Sequence, residues 1–124
     1  MSGQGARRVV MVAYPGVHNL DVVGPLEILA TTKFFVPGPP APYGITIVAE
    51  EAGVVEASSG LTITASMSYD EVLGGRDEID TLMIAGGHGS SSALKDSALL
   101  GFLRAAAPRA RRVASICTCL LYTS

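Results

Sequence analysis

Apolar and polar positions along the chain sort into short apolar runs separated by amphipathic stretches. Residues 8–13 (RVVMVA) put β-formers at nearly every position and predict a central parallel strand buried on both faces. A turn over residues 14–19 follows. Residues 20–35 then carry Leu26, Ile28, Leu29 and Ala30 on helical spacing. Gly24-Pro25 falls early in that helix, where proline is tolerated, and Pro37-Gly38-Pro39-Pro40 with Pro42 closes it. Residues 43–50 (YGITIVAE) predict a second strand. Residues 54–57 and 61–65 flank Ser58-Ser59-Gly60 and predict a small hairpin or two edge strands. Ser68-Tyr69-Asp70-Glu71 has capping-box spacing and opens a short helix that Gly74-Gly75 ends. Residues 81–85 (TLMIA) predict a third buried strand, with Gly86-Gly87-His88-Gly89 after it. Residues 97–107 form an amphipathic helix with Leu99, Leu100, Leu103 and Ala106 on its apolar side, stopped by Pro108. Residues 112–116 (RVASI) make one more buried strand, leading directly into Cys117.

Strands that alternate with helices imply an α/β domain with a parallel sheet and right-handed crossovers. The strands 8–13, 81–85 and 112–116 are expected to lie adjacent and central, because their residues are apolar on both faces. Residues 1–6 are small and polar and read as a frayed terminus.

At 124 residues and 48% hydrophobic content, one domain is expected. A net charge of -2 and a pI near 5.6 argue against a nucleic-acid-binding surface on this segment. Neither an apolar run of membrane-spanning length nor a secretory signal is present, so no membrane partner is expected. Two cysteines in Cys-x-Cys spacing make no disulfide framework, and the expected location is a reducing cytoplasm.

The chemistry gathers where strands end. Open α/β sheets bind ligands beyond the carboxyl ends of their strands. Cys117 directly follows such a strand; on a strand-to-helix turn its sulfur would be exposed and its thiolate stabilised by the helix N-terminus. The plain alternative is a buried, inert thiol. Asp21 at a loop–helix start is either a helix cap or a carboxyl group that bonds the cysteine sulfur or a substrate. Gly86 and Gly87 suit close backbone approach to a ligand, as in an oxyanion hole, or a tight turn that needs glycine for its dihedrals. No Gly-Lys-Ser/Thr follows them, so a phosphate-binding loop is not expected. His18 and His88 are too few and too scattered for a metal site, and neither adjoins Cys117. Arg104, Arg109, Arg111 and Arg112 cluster at a helix end, where cations complement the dipole.

Taken together, RVVMVAYPGVHNLDVVGPLEIL, DTLMIAGGHG and RRVASICT resemble the DJ-1/PfpI superfamily, relatives of class I glutamine amidotransferase domains, over nearly the whole chain. The resemblance implies a flavodoxin-like fold with helices on both faces of the sheet. Residues 20–25 (LDVVGP) and Ile116-Cys117-Thr118 narrow it to two subgroups. These are the amidotransferase-like N-terminal domain of AraC-type transcription regulators and the isocyanide hydratases. By resemblance, Cys117 is the elbow cysteine, Asp21 its carboxyl partner, and Gly87 and Thr118 the backbone donors, with Gly86 and His88 in the ligand-binding loop. Peptidase-like members carry histidine after the cysteine; Thr118 stands there, so peptidase activity is not expected.

Both subgroups continue after Cys-Thr with glycine and a small-residue helix, whereas this chain has CLLYTS over residues 119–124. That ending can be read as TGT CTC TTA TAC ACA TCT, which matches a transposon-derived sequencing adapter. The expectation is therefore an incomplete DJ-1/PfpI-like domain over residues 1–118 and an adapter-derived tail over 119–124. The run over residues 106–112 (AAPRARR) looks more like the regulators. The favoured expectation is a regulator sensor domain that contacts DNA only through a module absent from this segment. The alternative is a hydratase, a lyase in which Cys117 attacks an isocyanide carbon and Asp21 assists proton transfer. A third possibility is a non-catalytic small-molecule or stress-sensing domain. No cofactor is implied, the small-molecule effector or substrate is unknown, and the resemblance suggests a homodimer.

Overall fold

The computed structural model describes residues 7–36, 38, 42–75, 78–86 and 97–116. β1 (Arg7–Val12) leads into α1 (Asn19–Thr31), which tightens into a 3-10 turn over Thr32–Phe34. Next come β2 (Tyr43–Ala49), a hairpin of β3 (Gly53–Glu56) and β4 (Thr62–Ala65), and the two-residue β5 (Met67–Ser68). α2 (Tyr69–Gly74), β6 (Ile79–Ile84), α3 (Ser97–Ala106), a 3-10 turn over Ala107–Arg109 and β7 (Ala110–Ser115) complete the described chain.

The main sheet has the order β5–β2–β1–β6–β7, and every pairing within it is parallel. β1 is its middle strand: Met11 lies between Ile47 of β2 and Met83 of β6. Val9, Val10, Met11 and Val12 are wholly buried, as a strand covered on both faces requires. From β1 the chain moves outward to β2 in one direction, and from β6 to β7 in the other. Right-handed crossovers then place α1 on one face and α2 with α3 on the opposite face. The rings of Tyr69 (α2) and Phe102 (α3) stack at 4.5 Å between centroids. This is the α/β, flavodoxin-like arrangement, and its strand order reverses between β1 and β6, the switch point at which such sheets open a crevice.

Three local expectations need correction. The strand expected over 112–116 begins two residues earlier and is not central: among the described residues β7 is an edge strand, with Arg111, Arg112 and Val113 exposed. Apolar β-formers satisfy an edge as well as a core, so their run alone did not fix the position; the two arginines are what an edge tolerates. In α1 the buried pair is Val22 and Leu26, while Ile28 points outward and is 71% exposed. In α3 the buried face runs through Leu99, Phe102 and Ala106, and Leu100 and Leu103 are only half-buried. The α2 capping box is present in full: Glu71 N–H donates to Ser68 Oγ (3.1 Å) and Ser68 N–H donates to Glu71 Oε1 (2.8 Å). The 58–60 turn joins an antiparallel hairpin.

Candidate functional site

The loop between β1 and α1 is built from Tyr14-Pro15-Gly16-Val17-His18. Val17 N–H donates to the Tyr14 carbonyl (3.0 Å) and Gly16 has φ +84°, a type II turn with proline and glycine where that turn wants them. Four further hydrogen bonds fasten the loop. The Tyr14 hydroxyl, buried, donates to the Ala85 carbonyl at the end of β6 (2.6 Å). His18 N–H donates to the Gly86 carbonyl (2.8 Å). On the other side Gly16 N–H donates to the Glu56 carbonyl and Ser58 N–H to the Val17 carbonyl, both 2.9 Å. The loop is thus clamped between the end of β6 and the hairpin, above the switch point.

Asp21 sits in the first turn of α1, where its charge favours the helix N-terminus. It is not the cap. The N-cap residue is His18, whose side chain makes no capping hydrogen bond. Asp21 Oδ1 instead lies 3.3 Å from His18 Nδ1; the carboxylate is largely covered (21% exposed) and the imidazole half-exposed (50%). At the neighbouring strand end, Ile116 N–H donates to the Ile84 carbonyl (3.0 Å), carrying the β6–β7 ladder to the last described residue. Gly86 is buried beside this junction. Cys117, Thr118, Gly87 and His88 lie outside the described residues. Of the residues singled out by sequence, then, Asp21 and Gly86 are placed, both on the carboxyl side of the sheet and linked through His18.

By sequence, Tyr14 falls in a turn and His18 is one of two scattered histidines. A tyrosine directly after a fully buried strand was the available signal for Tyr14, since a buried hydroxyl must find a partner. For His18 the signal was a residue of poor capping ability at a helix start.

Beside the loop, an open groove of about 450 Å³ is lined by Pro15, Val54, Glu50, Glu51 and Glu56. Its three carboxylates disfavour an anionic ligand. Among the described residues, no three His, Cys, Asp or Glu side chains come together in a way that could hold a metal ion. No described helix is long and apolar enough to cross a membrane.

The profile of the DJ-1/PfpI family matches residues 7–123. The chain belongs to the DJ-1/PfpI family. Among solved structures, a ThiJ/PfpI family protein from Pseudomonas syringae is 27% identical with a TM-score of 0.71, covering 90% of this chain and 42% of that one. DJ-1beta of Drosophila melanogaster shares the fold at 18% identity, with a TM-score of 0.73 over 95% of this chain and 60% of its own. An isonitrile hydratase of Pseudomonas putida is 26% identical over 113 residues, which is 91% of this chain and 44% of the hydratase. An uncharacterized protein in the cpoL 5' region of Streptomyces lividans is 31% identical over 114 residues, 92% of this chain and 75% of that protein. This chain therefore spans less than half the length of the hydratase it matches.

Proposed function

We propose that the crevice at the β1/β6 switch point serves hydration of an isonitrile, with Cys117 as nucleophile and Asp21 as the group that assists proton transfer. The observation that carries this reading is the clamp of the Asp21 loop onto the end of β6, through His18 to Gly86, in a chain similar to an isonitrile hydratase. The thiolate sulfur of Cys117 would bond to the terminal isonitrile carbon, and that carbon would take a proton, giving an enzyme-bound thioimidate. Water would then add to the same carbon, one of its protons passing to the nitrogen and the other to Asp21 in place of the proton delivered to the carbon; the C–S bond would break, returning the thiolate and releasing the N-substituted formamide. Gly87 and Thr118 are the proposed backbone donors around the reacting atoms, with Gly86 and His88 in the ligand loop. No metal or cofactor enters this scheme, and no peptidase activity is proposed.

The test uses the native full-length protein and an alkyl isonitrile, with formamide appearance followed by NMR. Cys117→Ser should abolish turnover, and Asp21→Asn should lower kcat by about a hundredfold or more, the scale of a lost proton-transfer group. A Cys117→Ser protein that hydrates isonitriles as the wild type does would defeat the proposal.

The second reading is the sensor domain of an AraC-type regulator, in which the same crevice binds a small effector. Its support in the sequence is the 106–112 run. In the structure Arg109 donates to the Leu73 and Gly75 carbonyls (both 2.9 Å), closing the end of α2, and Arg111 pairs with Asp80 at 2.7 Å. Those arginines serve the fold, so the run no longer sets the regulator ahead. A full-length protein that binds its own promoter fragment and turns over no isonitrile would restore it. Either activity is proposed to run in a homodimer, since the outer side of α1 and the turn after it expose Leu20, Ile28, Phe34 and Phe35, an apolar row that a second copy would cover. Sedimentation of the wild type beside Phe35→Asp tests this; a monomeric wild type ends it.

A further inference from the structure

The two helix starts at α1 and α2 use the same spacing for different ends. In α2, Ser68 and Glu71 stand at N-cap and N3 and satisfy each other's backbone N–H groups. In α1 the equivalent positions hold His18 and Asp21. Here the N-cap N–H is already taken, donating to the Gly86 carbonyl at 2.8 Å. The Asp21 carboxylate therefore has no capping N–H to accept from residue 18, and it lies 3.3 Å from the imidazole Nδ1 instead. The macrodipole accounts for a carboxylate in a first turn; it does not account for an imidazole set against that carboxylate. Helix stability does not explain His18 either, because its side chain caps nothing and Ser, Thr, Asn or Asp would serve better there. A position that breaks a local rule, in a loop pinned to the end of the neighbouring strand, points to the site.

We infer that His18 is a positioning residue for Asp21: the half-exposed imidazole, its Nδ1 3.3 Å from the carboxylate, fixes that group's direction in the crevice by donating from Nδ1. The imidazole can do this because its own backbone is tied to Gly86, so the direction it imposes is referred to the end of β6 rather than to a free loop. Which nitrogen carries the proton is then set by the partner of the other one.

This inference rests on Asp21 acting in the proposed hydration, and the test separates the two. In the native full-length protein, two-bond proton–nitrogen spectra of the His18 ring are recorded at a pH where the imidazole is neutral. The Nδ1–H tautomer should dominate in the wild type and give way to a mixture in Asp21→Ala. With an alkyl isonitrile as substrate, His18→Phe should lower kcat by about ten- to a hundredfold, the cost of a misdirected catalytic group, with KM unchanged. His18→Asn, whose amide can still donate to Asp21, should recover most of that loss. A ring tautomer indifferent to Asp21→Ala, or a His18→Phe protein as fast as the wild type, overturns the inference. A wild type that hydrates no isonitrile yet shows the tautomer coupling supports the pairing and defeats the proposed reaction instead.

Discussion

The hydroxyl of Tyr14 donates a 2.6 Å hydrogen bond to the carbonyl of Ala85, joining the second residue past β1 to the first residue past β6. The two strands already pair along Val9–Val12 and Thr81–Ile84. The tyrosine extends their register beyond the last ladder bond to the place where the loops diverge. Both residues are buried, so the bond has no competition from bulk water.

Removing that hydroxyl should be felt. Tyr14→Phe keeps the ring but strips the Ala85 carbonyl of this donor, and a buried polar group left without a partner costs about 1–3 kcal/mol. Urea unfolding should show a lower midpoint at unchanged m value. A midpoint equal to the wild type's would mean the bond contributes nothing to the crevice's rigidity.

The turn beneath it has its own requirement. Gly16 sits at φ +84°, in the left-handed region, and a side chain there costs about 1–2 kcal/mol. Gly16→Ala should destabilise the protein by that amount, while Gly74→Ala should not, since Gly74 is a helical glycine with open space around its would-be Cβ. Comparing the two variants by thermal unfolding separates backbone strain from a general effect of glycine replacement.

A third comparison sets the two helix starts against each other. Ser68→Ala breaks the capping box and should cost about 0.5–2 kcal/mol, the usual range for losing a cap. His18→Ala should cost less, because the imidazole caps nothing and the backbone bond to Gly86 survives. Equal losses would show that His18 is a structural cap after all.

What could be read from sequence alone follows physical locality. The burial of β1 was legible because four consecutive β-formers leave no polar face, and the α2 capping box because both partners lie within four residues. β7's place at the edge was not, since Arg112-Val113-Ala114-Ser115-Ile116 has the same composition whether or not another strand lies beyond it. The outward turn of Ile28 was not legible because α1 is apolar on much of its circumference, so spacing alone could not choose the buried side between Val22–Leu26 and Ile28. Asp21 was legible as a residue of interest, but its pairing with His18 was not. Its release from capping depends on Gly86, a residue brought to His18 only by the pairing of β1 with β6.

The last expectation concerns acid. Asp80, at the amino end of β6, accepts a 2.7 Å hydrogen bond from Arg111 Nε and a 2.9 Å bond from the Thr81 hydroxyl. The hydrogen bond from the Arg111 guanidinium holds the Asp80 carboxyl below its ordinary range, against the smaller opposing effect of burial. A carboxyl whose folded-state pKa is depressed binds protons more readily in the unfolded chain. Its contribution to stability is therefore complete above the unfolded value, about 3.9 for aspartate, and disappears as pH falls through the lower folded value. Half of the Arg111 side chain is exposed, so solvent and salt screen the pair and its worth is about 0.2–1 kcal/mol. Asp80→Asn should accordingly be less stable than the wild type at pH 6 by an amount of that order. The gap should close as pH drops below the aspartate range, and added salt should narrow it at neutral pH. Paired urea titrations from pH 2.5 to 7 measure this directly. A gap that persists undiminished at the acid end would mean that the variant loses packing at the β6–β7 junction rather than charge.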